Sequence, residues 1–427
     1  ALAARAREAL AGGAGFAFHA RGDALAAEAE ALAAGGTLVE SAYAAPYLAH
    51  LALEPINATA QVEAGRVTLW VPTQNPTAAR ALAARVAGVA EDAVTLNVTL
   101  LGGGFGRRLD VEVVAQAVAV AQETGGRPVQ LLWSREEDTT HDVYRPAAAA
   151  VLRAALGPDG RPRTLRIGSA GDAVMPRWMA RNLPALATRV ELPDKTTAEG
   201  LFDQAYGIAH QRIAHAATTS GIPVGYWRSV GHSHNAFFIE SFVDELAHAA
   251  GQDPVAYRLA LLQEAPRHAA VLRLAADQAG WQRPPPRGWA RGVALHESFG
   301  SVVAQVLEAS LDGLRPRVHR VVCAIDCGTV VNPGIVAQQL EGGIVFGLSA
   351  ALHGRIDVVG SVVQQRNFPD QPILGLADTP RIETHLVASS APPAGVGEPG
   401  TPPVAPALAN ALFVLTGRRL RELPLRL

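Results

Sequence analysis

Two kinds of hydrophobic pattern interleave along the whole chain of 427 residues. Runs in which apolar and polar residues alternate predict strands, and apolar residues that recur every three to four positions predict helices. The interleaving predicts a mixed α and β fold. Strands are predicted at residues 66–71, 129–133, 302–309 and 318–326, and from Thr37 onward. Helices are predicted at residues 77–89, 111–122, 236–250, 255–262, 342–352 and 406–416.

Some segments have a less regular pattern. Residues 1–36 resemble two short alanine-rich helices around a glycine loop, and their weak apolar faces indicate packing against another element, including material outside this sequence. Residues 151–220 are predicted to hold strands around the turn at 157–160. Residues 296–300 are predicted to be a loop. The helix at 236–250 is predicted to be strongly amphipathic.

A glycine run at residues 102–106, Gly-Gly-Gly-Phe-Gly, follows the apolar run 94–101. Consecutive glycines can adopt positive φ and leave backbone N–H groups bare, so a large anionic ligand can approach the main chain closely. The predicted helix at 111–122 begins just beyond the run, and its dipole favours an anion there. A tight structural turn is the competing interpretation.

A single carboxylate, Glu398, stands near the other end of the chain. Glycines and prolines flank it in residues 395–400, Gly-Val-Gly-Glu-Pro-Gly, and the prolines make this loop stiff. The pairing of a bare glycine loop with a held carboxylate indicates chemistry.

Composition limits the other functions. The formal net charge is -2, and the sequence has no long basic cluster, which argues against a nucleic-acid partner. No uninterrupted apolar run approaches the roughly 18 residues of a membrane-spanning helix, so no transmembrane segment is expected. No signal peptide is visible, which leaves both periplasm and cytoplasm open. The chain begins at Ala1, so we expect an incomplete or processed product.

The two cysteines, Cys323 and Cys327, are four residues apart on a predicted strand. Residues at this spacing lie about 13 Å apart along a strand, too far for a disulfide bond. We therefore expect two buried thiols. An iron–sulfur cluster needs about four thiolates, so this chain cannot hold one alone.

Two polar clusters invite a metal-site interpretation. Residues 134–142 contain His141 and several acids, and residues 225–235 contain His232 and His234. Neither cluster has a recognised ligand spacing, so solvated loops and ordinary hydrogen bonding are the favoured interpretations.

The motifs together resemble the molybdenum hydroxylases of the xanthine dehydrogenase and aldehyde oxidase superfamily, and most closely the molybdopterin-binding subunits of isoquinoline 1-oxidoreductase-like enzymes. They follow the family's order over nearly the whole chain from Thr37. The motifs that carry the resemblance are Leu-Glu-Pro at 53–55, Gln-Asn-Pro at 74–76, Gly-Gly-Gly-Phe-Gly-Arg-Arg at 102–108, Tyr-Trp-Arg-Ser-Val-Gly at 226–231, Asp-Cys-Gly at 326–328, Gln-Leu-Glu-Gly-Gly at 339–343 and Gly-Glu-Pro-Gly at 397–400.

The resemblance implies an α+β protein with two mixed α/β molybdopterin-binding domains of the molybdenum hydroxylase type. It implies the domain ranges 37–265 and 266–427, with residues 1–36 as the helical remnant of an upstream region. The cofactor is expected to be molybdopterin dinucleotide in its cytosine form, carrying molybdenum without a direct protein ligand.

Residue by residue, Glu398 matches the family's catalytic glutamate, the base that takes a proton from a metal-bound hydroxyl while hydride passes to a sulfido ligand. Arg135 and Phe299 match positions that orient or stack the substrate. The positions that match cofactor-binding residues are Gly103, Gly104, Phe105, Gly106, Arg228, Gln339 and Gly397.

Departures from the family pattern also matter. Purine-oxidising relatives carry a glutamate near the position of Leu109, so the apolar residue here favours a flatter N-heteroaromatic substrate or an aldehyde. Electrons must leave, so the resemblance implies a small [2Fe-2S] partner subunit, with a cytochrome c as a further acceptor. Family subunits are also much longer at their N-terminus.

Three functions remain open. The first is a hydroxylase that inserts water-derived oxygen into a ring carbon of a small aromatic N-heterocycle. The second is an aldehyde oxidoreductase of the same superfamily, with the same residues in the same roles. The third is a truncated scaffold that binds an iron–sulfur subunit without doing chemistry.

Overall fold

The computed structural model describes residues 1–184, 187 and 193–427. The described strands form three larger sheets and one small hairpin, with helices against the sheets, which confirms the α+β class. The strands are β1 (Phe16–Arg21), β2 (Thr37–Ala45), β3 (Asn57–Glu63), β4 (Arg66–Val71), β5 (Val94–Val98), β6 (Val129–Leu132), β7 (Ala148–Leu156), β8 (Thr164–Asp172), β9 (His210–Thr218), β10 (Trp289–Ser298), β11 (Ser301–Asp312), β12 (Arg315–Asp326), β13 (Val358–Val359), β14 (Val362–Val363) and β15 (Arg381–Leu386).

The helices lie between these strands in the chain. Most begin at a proline or after a capping side chain, as at Asn75 and Asp253. They are α1 (Leu2–Ala11), α2 (Ala24–Ala33), α3 (Pro76–Ala87), α4 (Glu112–Gln122), α5 (Arg135–Thr140), α6 (Met175–Asn182), α7 (His232–Ala249), α8 (Pro254–Leu261), α9 (Pro266–Ala279), α10 (Pro333–His353) and α11 (Val404–Thr416).

The first sheet has the strand order β1-β9-β8-β7-β2. Its central strands β7 and β8 are buried almost throughout, because α1 covers one face and α7 the other. The contact with α1 is close: a Cβ at Gly168 would lie 2.2 Å from the Ala6 carbonyl oxygen. Residues 1–36 therefore pack on this sheet, and they include the edge strand β1, which the hydrophobic pattern missed.

The second sheet, in the order β5-β4-β3-β6, has helices α3 and α4 on one face. The helix faces that contact it are rich in alanine and valine, so helix and strand backbones lie near each other. Strand β5 ends at Val98, and the glycine run follows directly. This sheet therefore fixes the base of the glycine loop.

The third sheet, in the order β10-β11-β12-β15, packs against α9 and α11. Strands β10 and β11 pair up to Ser298 and Ser301, so only two residues form their turn. The predicted loop at 296–300 was therefore wrong in its first three residues, which continue β10. Both cysteines are free and buried, as predicted.

Helix α7 contradicts the prediction of an amphipathic helix. It begins at His232, and nearly every residue up to Ala247 is buried. The reason is its position between the first and third sheets, with contacts to β2, β7, β10 and α11. Its acids are paired internally: Glu240 accepts a hydrogen bond from Arg258 at 2.9 Å, and Glu245 from Arg421 at 2.7 Å.

Helix α10 is longer than predicted. Within the described chain it is the helix that meets the length and mean hydropathy of a membrane-spanning segment. The count of uninterrupted apolar residues missed this, because Gln338, Gln339 and Glu341 interrupt the run. Core helices of soluble proteins meet the same criterion, and α10 packs against α11 and β15.

The contact between β10 and α11 gives a test of the fold. A Cβ at Gly292 would lie 2.0 Å from the Ala407 carbonyl oxygen and 2.4 Å from the Ala411 nitrogen, both helix backbone. Gly292→Ala should therefore lower the free energy of unfolding by about 3 kcal/mol, as overpacking does. Denaturant unfolding measures this. Gly375→Ala, where no atom lies within 4 Å, is the control and should be near neutral.

Candidate active site

Hydrogen bonds tie the Glu398 loop to the segment before α7. The Ser229 backbone N–H donates to Glu398 Oε1 at 2.8 Å, and the Ser229 hydroxyl donates to the Glu398 carbonyl at 2.8 Å. Arg228 Nε donates to the Gly397 carbonyl at 2.8 Å. Arg228 Nη2 also donates to the main-chain and side-chain oxygens of Gln339, at 3.2 and 3.3 Å. Four of the predicted site residues are thus brought together.

The glycine loop touches the same segment on its other side. A Cβ at Gly106 would lie 2.0 Å from the Tyr226 carbonyl oxygen, and one at Gly104 would lie 2.6 Å from Gln74 Oε1. The Gly106 N–H donates to that amide oxygen at 3.1 Å. Phe105 has a φ of +52°, which is uncommon for a residue with a side chain. Glycine is therefore required at Gly106, where main chain blocks a Cβ, whereas at Gly104 the obstacle is the end of the Gln74 side chain. The Gly106 N–H is bonded to a side chain, so it is not one of the bare N–H groups that the sequence predicted.

Two charged residues hold the start of the glycine loop. The Gly102 N–H donates to Glu54 Oε2 at 2.8 Å, and Arg108 Nε donates to the Gly103 carbonyl at 2.8 Å. Arg108 Nη2 also donates to Glu54 Oε2 at 2.8 Å. The family motifs include both residues, but the sequence alone assigned neither of them a role.

Three aromatic rings join the two halves of the site. Phe346 of α10 stacks on Phe105 with ring centroids 4.5 Å apart and on Trp227 with centroids 4.6 Å apart. The Arg228 guanidinium lies 6.0 Å from the Phe105 centroid and 5.8 Å from that of Phe346. Sequence reasoning missed Phe346, because only its packing marks it.

A buried charge network supports the peptide that faces Gly106. His50 Nε2 lies 2.7 Å from the Tyr226 carbonyl oxygen, and its Nδ1 lies 2.9 Å from Asp142 Oδ1. Arg107 Nε pairs with the same Asp142 oxygen at 3.0 Å. The histidine and the two surrounding charges therefore hold Tyr226 in place behind the loop.

A cavity of about 700 Å³ opens beside these groups. Phe105, Arg228, Gln338 and Glu341 contribute to its lining, and most of the remaining wall is apolar. Glu398 is not part of that wall in the described structure. Arg228 lines the cavity and donates to the Gly397 carbonyl, so it links the cavity wall to the Glu398 loop.

The environment of Glu398 shifts its acidity. Burial raises the pKa of the Glu398 carboxyl above its ordinary value, although the Ser229 N–H and the charges of Arg228 and His232 oppose the rise, while Glu199 adds to it. Burial also lowers the pKa of Arg228, opposed by Glu398. The site thus holds a carboxylate that accepts a proton more readily than one in water.

Arg135, predicted to orient the substrate, is engaged elsewhere. Its guanidinium pairs with Asp138 and donates to the carbonyls of Ala52 and Leu53. It also lies 5.0 Å from the centre of the Phe368 ring. In this structure Arg135 therefore holds the segment that contains Ala52 and Leu53 in place beside the cavity wall.

Phe299, predicted to stack the substrate, lies beside the Glu398 loop. Its carbonyl accepts a hydrogen bond from the Gly395 N–H at 3.1 Å, and its ring is 39% exposed. The ring centroid is 5.6 Å from that of His232. A partly exposed ring at this place is able to contact a bound molecule.

The histidines of the two polar clusters lie in different surroundings. His141 is exposed, whereas His232 and His234 are buried in the first turn of α7. His232 is 2.9 Å from His296 and 3.1 Å from Glu199. Among the residues that the structure describes, no group of three His, Cys, Asp or Glu side chains is placed to hold a metal ion.

Comparison with known proteins gives one consistent result. Two models described as molybdopterin cofactor-binding domains match residues 13–261 and 262–380. The chain is 37% identical to the isoquinoline 1-oxidoreductase subunit beta of Brevundimonas diminuta, over 88% of this chain and 48% of that protein. It is 30% identical to a membrane-bound aldehyde dehydrogenase (pyrroloquinoline-quinone) of Gluconacetobacter polyoxogenes, over 93% of this chain and 54% of that protein.

The fold is shared with solved structures. Quinoline 2-oxidoreductase from Pseudomonas putida 86 superposes with a TM-score of 0.78 over 95% of this chain and 76% of that chain, at 16% sequence identity. Identity this low shows a shared fold alone. The chain spans about half the length of the two sequence relatives.

Glu398→Gln should change how stability depends on pH. A carboxyl whose pKa is raised on folding contributes stability below its ordinary value of about 4.5, and this contribution is lost as the pH rises through the folded value. The variant should therefore gain stability relative to wild type as the pH rises above about 4.5, measured by denaturant unfolding.

Glu383→Gln is the control with the opposite sign, because hydrogen bonding to Arg320 lowers the pKa of Glu383. A carboxyl whose pKa is lowered on folding contributes stability that is complete above its ordinary value of about 4.5. That variant should therefore lose stability relative to wild type as the pH rises toward about 4.5, and the difference should stay constant above that pH. Parallel pH profiles for the two variants would contradict the assignment of a raised pKa to Glu398.

Proposed function

The chain belongs to the molybdopterin cofactor-binding family of molybdenum hydroxylases, and from this premise we propose that it carries the catalytic site of an oxidoreductase. The proposed reaction is oxidation of a ring carbon in an N-heteroaromatic substrate, with water as the oxygen source. One observation carries the proposal: Glu398 is hydrogen-bonded to Ser229, whose neighbours in sequence contact the glycine loop.

The residues present fit the pterin cofactor of this family. The glycine loop contributes Gly102, Gly103 and Phe105 to the lining of the 700 Å³ cavity. At Gly106 the neighbouring main chain leaves no room for a side chain. Arg228 offers a buried cation on the same wall, next to Gln339. We propose that Gly103, Phe105 and these residues hold the cofactor. The other proposed cofactor contacts are Gly104, Gly106 and Gly397.

When bound, the molybdenum cofactor would supply oxygen transfer to the substrate carbon and accept two electrons. Glu398 would act as the general base, taking one proton at its carboxylate. The Ser229 N–H fixes the direction of that carboxylate, and its raised pKa brings it nearer to the working pH of a base. Phe299 is proposed to contact the substrate, and Arg135 to position the wall that faces it.

The substrate class follows from the cavity and from a relative. A largely apolar wall suits a flat aromatic ring, and the 37% identical relative is named an isoquinoline 1-oxidoreductase. The aldehyde alternative has its own support, because the 30% identical relative is named an aldehyde dehydrogenase. Both candidates use Glu398 in the same role.

The proposal extends to the partner subunits, the form of the cofactor and the domain boundary. The relative that is 37% identical is named a subunit, so we propose a small [2Fe-2S] subunit that takes the electrons from this chain, with a cytochrome c as a further acceptor. We also propose the cytosine form of the dinucleotide. The division near residue 265 is supported by the sheets, since the first two lie before it and the third lies after it.

The proposed role of Glu398 as general base can be tested by removing its ability to take a proton. Glu398→Gln should keep its molybdenum content, because the volume is unchanged, while turnover by the assembled enzyme falls by about 10²- to 10⁴-fold. Steady-state kinetics with an artificial electron acceptor and metal analysis by mass spectrometry measure the two effects. Exposed Glu91→Gln is the matched control and should retain wild-type turnover. Substantial turnover by Glu398→Gln would contradict the role of the base.

Substrate comparison separates the remaining candidates. The assembled enzyme should turn over isoquinoline or quinoline with a higher kcat/KM than benzaldehyde if the ring-carbon proposal is correct. A preference for the aldehyde would favour the alternative. Purified protein with no stoichiometric molybdenum would support the scaffold and overturn both enzymatic readings.

A further inference from the structure

A second, much smaller cavity lies behind the segment that carries Arg228 and Ser229. Arg145, His215 and His234 contribute to its lining, together with Trp227 and Val230. The centre of a water molecule could move within a volume of about 10 Å³ in this cavity. That is close to the smallest space in which one ordered molecule fits, so the cavity accepts a single small ligand.

Three nitrogen atoms of the lining residues have no hydrogen-bond partner among the described residues. They are Arg145 Nε, His215 Nε2 and His234 Nδ1. The three residues are 2%, 5% and 3% exposed, respectively, so each is more than nine-tenths buried. Buried polar atoms without partners are rare in folded proteins. Three such atoms in residues that line one small cavity indicate a bound ligand that forms the missing hydrogen bonds.

The lining of the cavity includes one buried cation, Arg145, which has no ion-pair partner among the described residues. Arg145 Nη2 donates to the Pro46 carbonyl at 2.9 Å, and the guanidinium lies 5.4 Å from the Trp227 ring centre. Burial lowers the pKa of Arg145 to about 9, and within the described structure no carboxylate counteracts that fall. The guanidinium therefore keeps its charge at neutral pH, and a buried charge normally has a counter-charge.

The acids nearby are already engaged. Asp172 also lines the cavity, but its carboxylate accepts hydrogen bonds from the Thr218 hydroxyl at 2.6 Å and the Ser220 N–H at 3.2 Å. Asp194 accepts from the Val174 N–H at 2.7 Å and the Thr196 hydroxyl at 2.7 Å. Neither forms an ion pair with Arg145.

The histidines can act as neutral donors. Burial lowers the pKa of His215 to about 4, although the Gly171 main chain and the Asp194 charge oppose the fall, and burial together with the Arg145 charge lowers the pKa of His234 well below its ordinary value. His215 Nδ1 lies 2.9 Å from the Ser169 hydroxyl, which leaves Nε2 free to carry the proton. Gly231, at the N-terminus of α7, also lines the cavity, and the positive end of the helix dipole adds to the potential there.

We propose that this cavity is a binding site for one halide ion, chloride under ordinary conditions, held by Arg145, His215 and His234. Water would complete the hydrogen bonds but leave the Arg145 charge without a partner. A chloride ion is larger than a water molecule, so the lining side chains must move outward slightly to admit it, whereas acetate, phosphate and other polyatomic anions need much more space. The ion would join the first sheet to α7 behind the Arg228–Ser229 peptide, and the proposal does not depend on the cofactor.

Crystallography with bromide tests the site directly on the unmodified protein. Crystals grown with sodium bromide should show an anomalous difference peak within hydrogen-bonding distance of Arg145 Nε and both histidine nitrogens. A cavity that holds only water, with no anomalous peak at this place, would overturn the proposal.

Thermal unfolding tests it in solution. At constant ionic strength, replacing sodium acetate by sodium chloride should raise the unfolding midpoint of wild type by about 2 °C. Arg145→Met should lose this rise, whereas Arg381→Met, with an exposed side chain, should keep it. If Arg145→Met does not fold, His215→Phe replaces it with the same expectation. Equal midpoints of wild type in the two salts would contradict the site.

Discussion

The site depends on the peptide between Arg228 and Ser229. Its N–H fixes the Glu398 carboxylate, the Arg228 side chain fixes Gly397 and Gln339, and the Tyr226 carbonyl, two residues earlier, faces Gly106. One short segment therefore sets the distance between two loops that are almost three hundred residues apart in sequence. Its own position is set by α7, which is buried between two sheets.

This arrangement holds strained backbone. Ser229 and Val230 have φ values of +74° and +46°, and Phe105 has +52°. Residues with side chains adopt such angles at a cost of about 1–3 kcal/mol each, and they persist only where the surroundings enforce them. Here the aromatic stack on Phe346 and the buried pair of His50 and Asp142 provide that enforcement. The strain therefore lies in the glycine loop and in the segment before α7, the two places that meet at Gly106 and Tyr226.

The sequence was informative where local chemistry decides structure. The glycine loop, the Glu398 loop, most helices and strands such as β4, β6, β11 and β12 follow from residue type and period, and the family motifs supplied their order. It was less informative where burial decides. Helix α7 has acids that look solvent-facing, yet they are buried, and Arg258 in the core and the partly exposed Arg421 pair with them. Phe346 and Gln74 join the site through contacts distant in sequence, which leave no local pattern.

The central claim is that the glycine loop and Glu398 face one cofactor metal across the Arg228–Ser229 peptide. A crystal structure of the cofactor-loaded protein, with molybdenum located by anomalous scattering, tests this most directly. The account predicts one molybdenum peak between the Phe105 main chain and the Glu398 carboxylate. A peak elsewhere in the chain, or a cofactor that leaves Glu398 out of reach of the metal, would contradict it.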